Sequence, residues 1–195
     1  MRQKSYNSVY FGTEKRILIA FAKLLKDHHS VDIRTSEVVR EAGIATSSFY
    51  IHYHSLMDII EKNERLILVG LDKIVSIQMQ ENTTIEKKLN NVLFYLYRYR
   101  ELLDVICGTH SISSPLNIMS HLRDIVECGW PNYCNTVRQR LYNLIIAEYL
   151  AELRLWWQER FSIDFIPTHA KRLAYFTINT PRFYAAIYHV DRNSV

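Results

Sequence analysis

Between Thr35 and Ile60 the chain reads TSEVVREAGIATSSFYIHYHSLMDII, and this stretch leaves little freedom of fold. Val38, Val39 and Ala42 fall on one side of a short helix by their spacing. Ala42-Gly43-Ile44 then interrupts it, because Gly43 can enter the left-handed region that a sharp helix-ending turn requires without a Cβ penalty. A second short helix is expected over about Thr46–Tyr53. Phe49 and Tyr53 share one side of it, and Thr46, Ser47, Ser48, Tyr50 and His52 the other. Two short helices joined by a glycine turn, the second with a bare polar face, have the pattern of a helix-turn-helix.

The rest of the chain asks for more helix. Only 5 of 195 residues are glycine and 4 proline, while 48% are hydrophobic, so long uninterrupted helices around a sizeable core are expected. No run of 18 apolar residues suggests a membrane span, and MRQKSYNSVYFG has no apolar centre of a secretory signal. Cys107, Cys128 and Cys134 form no tight framework, so reduced thiols in a cytoplasmic protein are expected. The net charge is +4, and residues 1–57 hold eight basic against five acidic side chains. That excess suits a nucleic-acid partner without requiring one.

In chain order, residues 1–12 read as a weakly ordered arm, either a plain terminus or a phosphate-touching one through Arg2 and Lys4. Thr13 caps a helix whose stripe of Ile17, Leu18, Phe21, Leu24 and Leu25 is core. His28-His29 end it as exposed histidines, since neighbours on a helix point too far apart to chelate a metal together. Ser55 and Asp58 have capping-box spacing for a long helix to about Gln78. Thr84 caps another to about Ile106, Gly108–Pro115 is a loop, and Leu116–Cys128 is a helix. Tyr133 to about Phe161 reads as helical, possibly two helices run together and apolar on several faces. A last helix runs from Ala170 to about Tyr188, kinked or ended at Pro181.

The Thr35–Ile60 stretch resembles the DNA-binding domain of the TetR family of bacterial transcriptional repressors. The resemblance lies in Thr35, Ala42-Gly43-Ile44, Phe49-Tyr50, His52-Tyr53, Ser55 and Ile59, and covers about residues 13–60. Two positions depart from the family pattern: Ala45 replaces a usual capping serine, and Leu56 a lysine that often reaches phosphate. The resemblance implies an all-α protein, with a three-helix helix-turn-helix domain over residues 1–54 and a helical ligand-binding and dimerisation domain over 55–195. It implies a homodimer on double-stranded DNA, reading a palindromic operator in the major groove and released by an unknown small-molecule effector. Thr35, Thr46, Ser47, Ser48, Tyr50, His52 and His54 are the expected DNA contacts. Thr46-Ser47-Ser48 alone would be an ordinary polar turn; its flanks give it meaning.

In the regulatory half, Phe94, Tyr95, Tyr97, Tyr99, Trp130 and Tyr133 are candidates to line an effector pocket, though aromatics at helical spacing are commonly plain core. Leu150, Leu153, Trp156, Trp157, Leu173 and Phe176, on the last two long helices, are the expected dimer surface. Cys107-x-x-His110 and the Cys128/Cys134 pair suggest either a metal or redox sensor or buried inert thiols, the latter favoured. No nucleophile–base pair, cofactor loop or metal motif is evident, so neither catalysis nor a cofactor is expected. The competing reading is a dimeric helical adaptor or small-molecule-binding protein that does not bind DNA.

Overall fold

A computed structural model describes residues 2–27, 32–108, 113–128, 130 and 135–188. Every regular element among them is helical: α1 Arg2–Asp27, α2 Thr35–Ala42, α3 Thr46–His52, α4 Leu56–Gln80, α5 Ile85–Tyr97, α6 Arg100–Gly108, α7 Ser113–Ser120, α8 Arg123–Glu127, α9 Asn135–Gln158, a 3-10 turn at Ile163–Phe165, and α10 Ile166–Tyr188. No helix of the described residues is long and apolar enough to cross a membrane. These residues group into two compact units, one drawn from Met1–Leu66 and Tyr99–Ile112, the other from Ile67–Arg98 and Ser113–Val195. Packing groups the chain differently from the division expected after residue 54: the first unit runs on to Leu66 and takes in α6, which lies against α1.

In the first unit α1 buries Ile17, Phe21 and Leu25 as its periodicity demands. It begins at Arg2, so the backbone that reads as a loose arm is helix. His28 and His29 lie outside the described residues. The helix expected from Thr84 to about Ile106 is interrupted at Arg98–Tyr99. Each piece serves its own core: α5 buries Leu89, Val92, Leu93 and Leu96 in the second unit, and α6 buries Leu102, Leu103, Val105 and Ile106 in the first. Lys15 on α1 is paired with Glu101 on α6 at 3.3 Å, a surface pair that adds little to the apolar packing.

In the second unit α10 packs on α5 and α9, while α7 and α8 pack on α9. Thr84 caps α5 by accepting from Lys87 N–H at 3.2 Å. Lys88 is buried, and its ammonium donates to the carbonyls of Gln78 and Glu81, satisfying the end of α4. α7 starts at Ser113 and takes in Pro115, expected in a loop; in a first turn the missing N–H costs nothing. The helix expected over Leu116–Cys128 is broken between Ser120 and Arg123. α9 is one helix that ends on two residues in the left-handed region, Arg160 at φ 60° and Phe161 at φ 49°. Burial of Phe161 edge-on against Trp156, 5.1 Å between ring centres, holds that strained turn.

α10 runs through Pro181 to Tyr188 instead of ending there. A proline at position 181 cannot donate to the carbonyl four residues earlier, that of Thr177. Trp130 supplies the missing donor: its indole Nε1 lies 3.1 Å from Thr177 O. The proline is accommodated because a side chain from elsewhere in the unit satisfies the carbonyl it orphans.

Candidate nucleic-acid interface

α2 and α3 are set by their ends. Arg34 holds the N-cap position of α2, where its N–H donates to the Glu37 carboxylate at 2.8 Å while Glu37 N–H donates to Arg34 O at 3.0 Å. Thr35 is the first helical residue of α2. At the other end Gly43 adopts φ 62°, ψ 43°, and the N–H groups of Gly43 and Ile44 return to the carbonyls of Arg40 and Val39, the pattern of a left-handed helix cap. α3 starts at Thr46 after Ala45, which has no side chain to cap it. The expected box at Ser55 forms in modified shape: Ser55 Oγ accepts from Asp58 N–H, and the Asp58 carboxylate reaches one residue further back, to His54 N–H.

Three side chains of α3 and its cap hold the helix down. Phe49 is fully buried, Tyr53 is 1% exposed, and the Tyr53 hydroxyl accepts from Asn63 Nδ2 at 3.1 Å. The third is His52, a correction to the expected outward face. Its side chain is 5% exposed, and Nδ1 lies 3.6 Å from a Glu14 carboxylate oxygen, to which Lys62 also pairs at 3.3 Å. Positions 49, 52 and 53 stand at i, i+3 and i+4, so helical geometry already groups His52 with the anchors.

With those residues inward, Ser47, Tyr50 and Ile51 form the outward row of α3, at i, i+3 and i+4, with Thr46 exposed beside them, Ser48 half-buried and His54 exposed just past the helix end. Tyr50 is 52% and Ile51 65% exposed. Ile51 is absent from the expected contacts, although its spacing from Ser47 is the signal that places it there. Thr35 is half-buried at the start of α2, and Arg34 and Arg40 are exposed. The face therefore offers hydroxyls, one imidazole and one aliphatic group, the set that can meet base edges, phosphates and a thymine methyl.

No protein-family model matches the chain, and no curated protein matches it in sequence. Among solved structures it is similar to a TetR transcriptional regulator from Streptococcus agalactiae 2603V, 16% identical, with a TM-score of 0.58 over 90% of this chain and 98% of that one. The fold is that of a TetR transcriptional regulator.

The second unit of this TetR fold contains a cavity in a different place from the expected pocket. It is lined by residues of α5, α7, α9 and α10 with Leu122, among them Leu89, Leu93, Leu153, Trp156 and Leu173, together with Glu152 and His169. As it stands it has room for about one water molecule. None of the five expected aromatics among the described residues lines it. Phe94 is 40% exposed, and Tyr95 is spent on α4, its hydroxyl donating to Ile67 O at 2.9 Å across Gly70, where a Cβ would run into the Tyr95 hydroxyl. Tyr97 is half-buried, Tyr99 belongs to the first unit, and Trp130 serves Thr177. Tyr133 lies outside the described residues.

The expected dimer residues are also redistributed. Leu153, Trp156 and Leu173 are at most 5% exposed and line the cavity, so they belong to this chain's own core. Leu150, Trp157 and Phe176 are half-buried. What α9 and α10 of the TetR fold leave uncovered is another set: Leu144 and Leu155, each at least 42% exposed, then Tyr175, Ile178 and Phe183, each at least 45%. Cys107 is half-buried and Cys128 exposed, so buried inert thiols do not describe Cys128; Cys134 and His110 lie outside the described residues. No group of three or more His, Cys, Asp or Glu side chains placed to hold a metal ion occurs among the described residues.

Proposed function

We propose that the protein is a homodimeric TetR-type transcriptional repressor that binds an inverted-repeat DNA operator and releases it when a small molecule occupies the second unit. The observation that carries this reading is the division of labour within α3. Phe49, His52 and Tyr53 fix the helix from behind, which frees Ser47, Tyr50, Ile51 and His54 to face a major groove. In this reading Thr46, Ser47 and Ile51 meet base edges, Ser48 lets the backbone approach closely, and Tyr50, His54 and the start of α2 at Thr35 meet phosphates. His52 acts as an anchor. Residues 1–54 are the reading domain and 55–195 the regulatory and dimerising domain. Dimerisation uses the uncovered row on α9 and α10, because a single helix-turn-helix buries too little surface to select one site in a genome.

Selection of bound duplexes from a random pool, followed by gel shift, tests this. A short inverted repeat is the expected product. Tyr50→Ala is expected to weaken all duplexes alike with the salt slope little changed, because a neutral hydroxyl releases no counterion, while Ser47→Ala weakens them in a sequence-dependent way. A second reading, a dimeric adaptor without DNA binding, draws on the uncapped start of α3 at Ala45. Absence of any enriched sequence would favour it.

A further inference from the structure

α3 is short of the side chains that commonly select bases. It reads TSSFYIH, with no Arg, Lys, Asn, Gln, Asp or Glu. In the major groove Arg or Lys picks out guanine and Asn or Gln adenine by two-pronged hydrogen bonds, and a carboxylate picks out cytosine; α3 holds none of these devices. Arg34, exposed at the N-cap of α2, belongs with the phosphate-facing start of that helix in the reading above. What α3 turns outward instead is an aliphatic group. Ile51 is 65% exposed, more than any other large apolar side chain among the described residues. Ser47 stands one turn before it and is also exposed. Side chains on a helix lean toward its N-terminus, so the Ile51 methyl groups lie over the Ser47 turn, beside the hydroxyl. The neighbouring Tyr50 ring packs edge-on against buried Phe49, 5.5 Å between ring centres, and leaves Ile51 open.

A hydroxyl beside an aliphatic group is the complement of one base edge. Of the four bases, thymine alone shows a hydrogen-bond acceptor, O4, next to a methyl group in the major groove. We propose that Ser47 and Ile51 together read one thymine in each half-site of the operator. The Ser47 hydroxyl donates to O4, and Ile51 packs on the 5-methyl group. The apolar contact carries the discrimination, because a serine hydroxyl can donate or accept and so tolerates other bases. Burial of the methyl group takes apolar surface out of water on both partners, which is the gain that an isoleucine exposed on a reading face can supply. Twofold symmetry presents the thymine twice, once to each copy of α3. The inference rests on the DNA-binding reading above and names the kind of operator that reading requires.

The test uses the full-length protein and the duplex enriched from the random pool, followed by gel shift. Each thymine of the half-site is replaced in turn by deoxyuridine, which removes the methyl group and keeps O4. One such replacement is expected to weaken wild-type binding about four-fold, the worth of one methyl group taken from water, and about fifteen-fold when made in both half-sites. Ile51→Ala is expected to weaken binding to the thymine duplex and to be indifferent, within about two-fold, to the replacement at that position. Its circular dichroism and melting temperature stay those of the wild type, because Ile51 is exposed. Ser47→Ala, which removes the hydroxyl alone, weakens both duplexes and keeps the difference between them. A methyl effect that persists in Ile51→Ala overturns the proposal. A wild type that binds an inverted repeat but ignores every methyl group overturns it alone, whereas a wild type that enriches and shifts no duplex overturns the DNA-binding reading and this inference with it.

Discussion

At the scale of single residues, position on a helix outweighs chemical type. Tyr50 and His52 are two apart and both able to touch phosphate, yet one is 52% exposed and the other 9%. Their substitutions should therefore separate cleanly. His52→Ala is expected to lower thermal stability by about 1–3 kcal/mol, from lost packing and a disrupted Glu14 contact, whereas Tyr50→Ala leaves the melting temperature nearly unchanged. Differential scanning calorimetry of both variants checks this; equal losses would mean that Tyr50 is packed. Tyr149 gives a second case. Burial raises its hydroxyl well above the ordinary phenol range, against the opposing effect of its hydrogen bond to Thr177. Because Thr177 Oγ1 donates its own hydrogen to Leu173 O at 2.8 Å, Tyr149 is the donor to Thr177. The unfolded chain releases this proton near pH 10 and the folded chain does not, so stability is fully present below about pH 10 and falls as pH rises from there. Tyr149→Phe is expected to flatten that alkaline slope in urea titrations while costing about 1 kcal/mol at neutral pH.

At the scale of elements, what decides a boundary is where the orphaned backbone groups go. α2 stops at Gly43 because the turn needs a left-handed residue there, a rule that works from local sequence alone. α10 does not stop at Pro181, because the carbonyl the proline abandons is taken by Trp130. This coupling can be measured. Trp130→Phe keeps most of the apolar volume and removes the donor, leaving a buried carbonyl unsatisfied at a cost of about 1–3 kcal/mol. In a Pro181→Ala background the restored N–H can serve Thr177, so the same change should cost about 1 kcal/mol less. Additive effects in that double-mutant cycle would mean that the indole contributes by packing alone.

At the scale of the whole molecule, the uncovered row Leu144, Leu155, Tyr175, Ile178 and Phe183 is where a second copy is expected to dock. Ile178→Glu with Phe183→Glu should give a folded monomer by analytical ultracentrifugation, with operator affinity down by several orders of magnitude because the two half-sites are no longer bound together. Trp156→Ala should instead lower stability by about 3–5 kcal/mol, since that side chain is core. A protein still dimeric after the double charge insertion would place the interface elsewhere.

The sequence by itself determined the helical class, the α2–turn–α3 unit, the Thr84 cap and most of the residues that face out of α3. Each depends on groups within one or two helical turns, so local spacing and a single glycine suffice. Only the tertiary structure decided that Leu153, Trp156 and Leu173 line an internal cavity while Leu155 and Ile178 face outward, because α9 is apolar on several sides and periodicity cannot say which side the chain's own helices cover. The break between α5 and α6, the Trp130–Thr177 bond and the Glu152–His169–Glu159 cluster were hidden for the same reason. Each joins residues far apart in sequence, or depends on which core a helix serves, and so is created by packing, not by any local pattern.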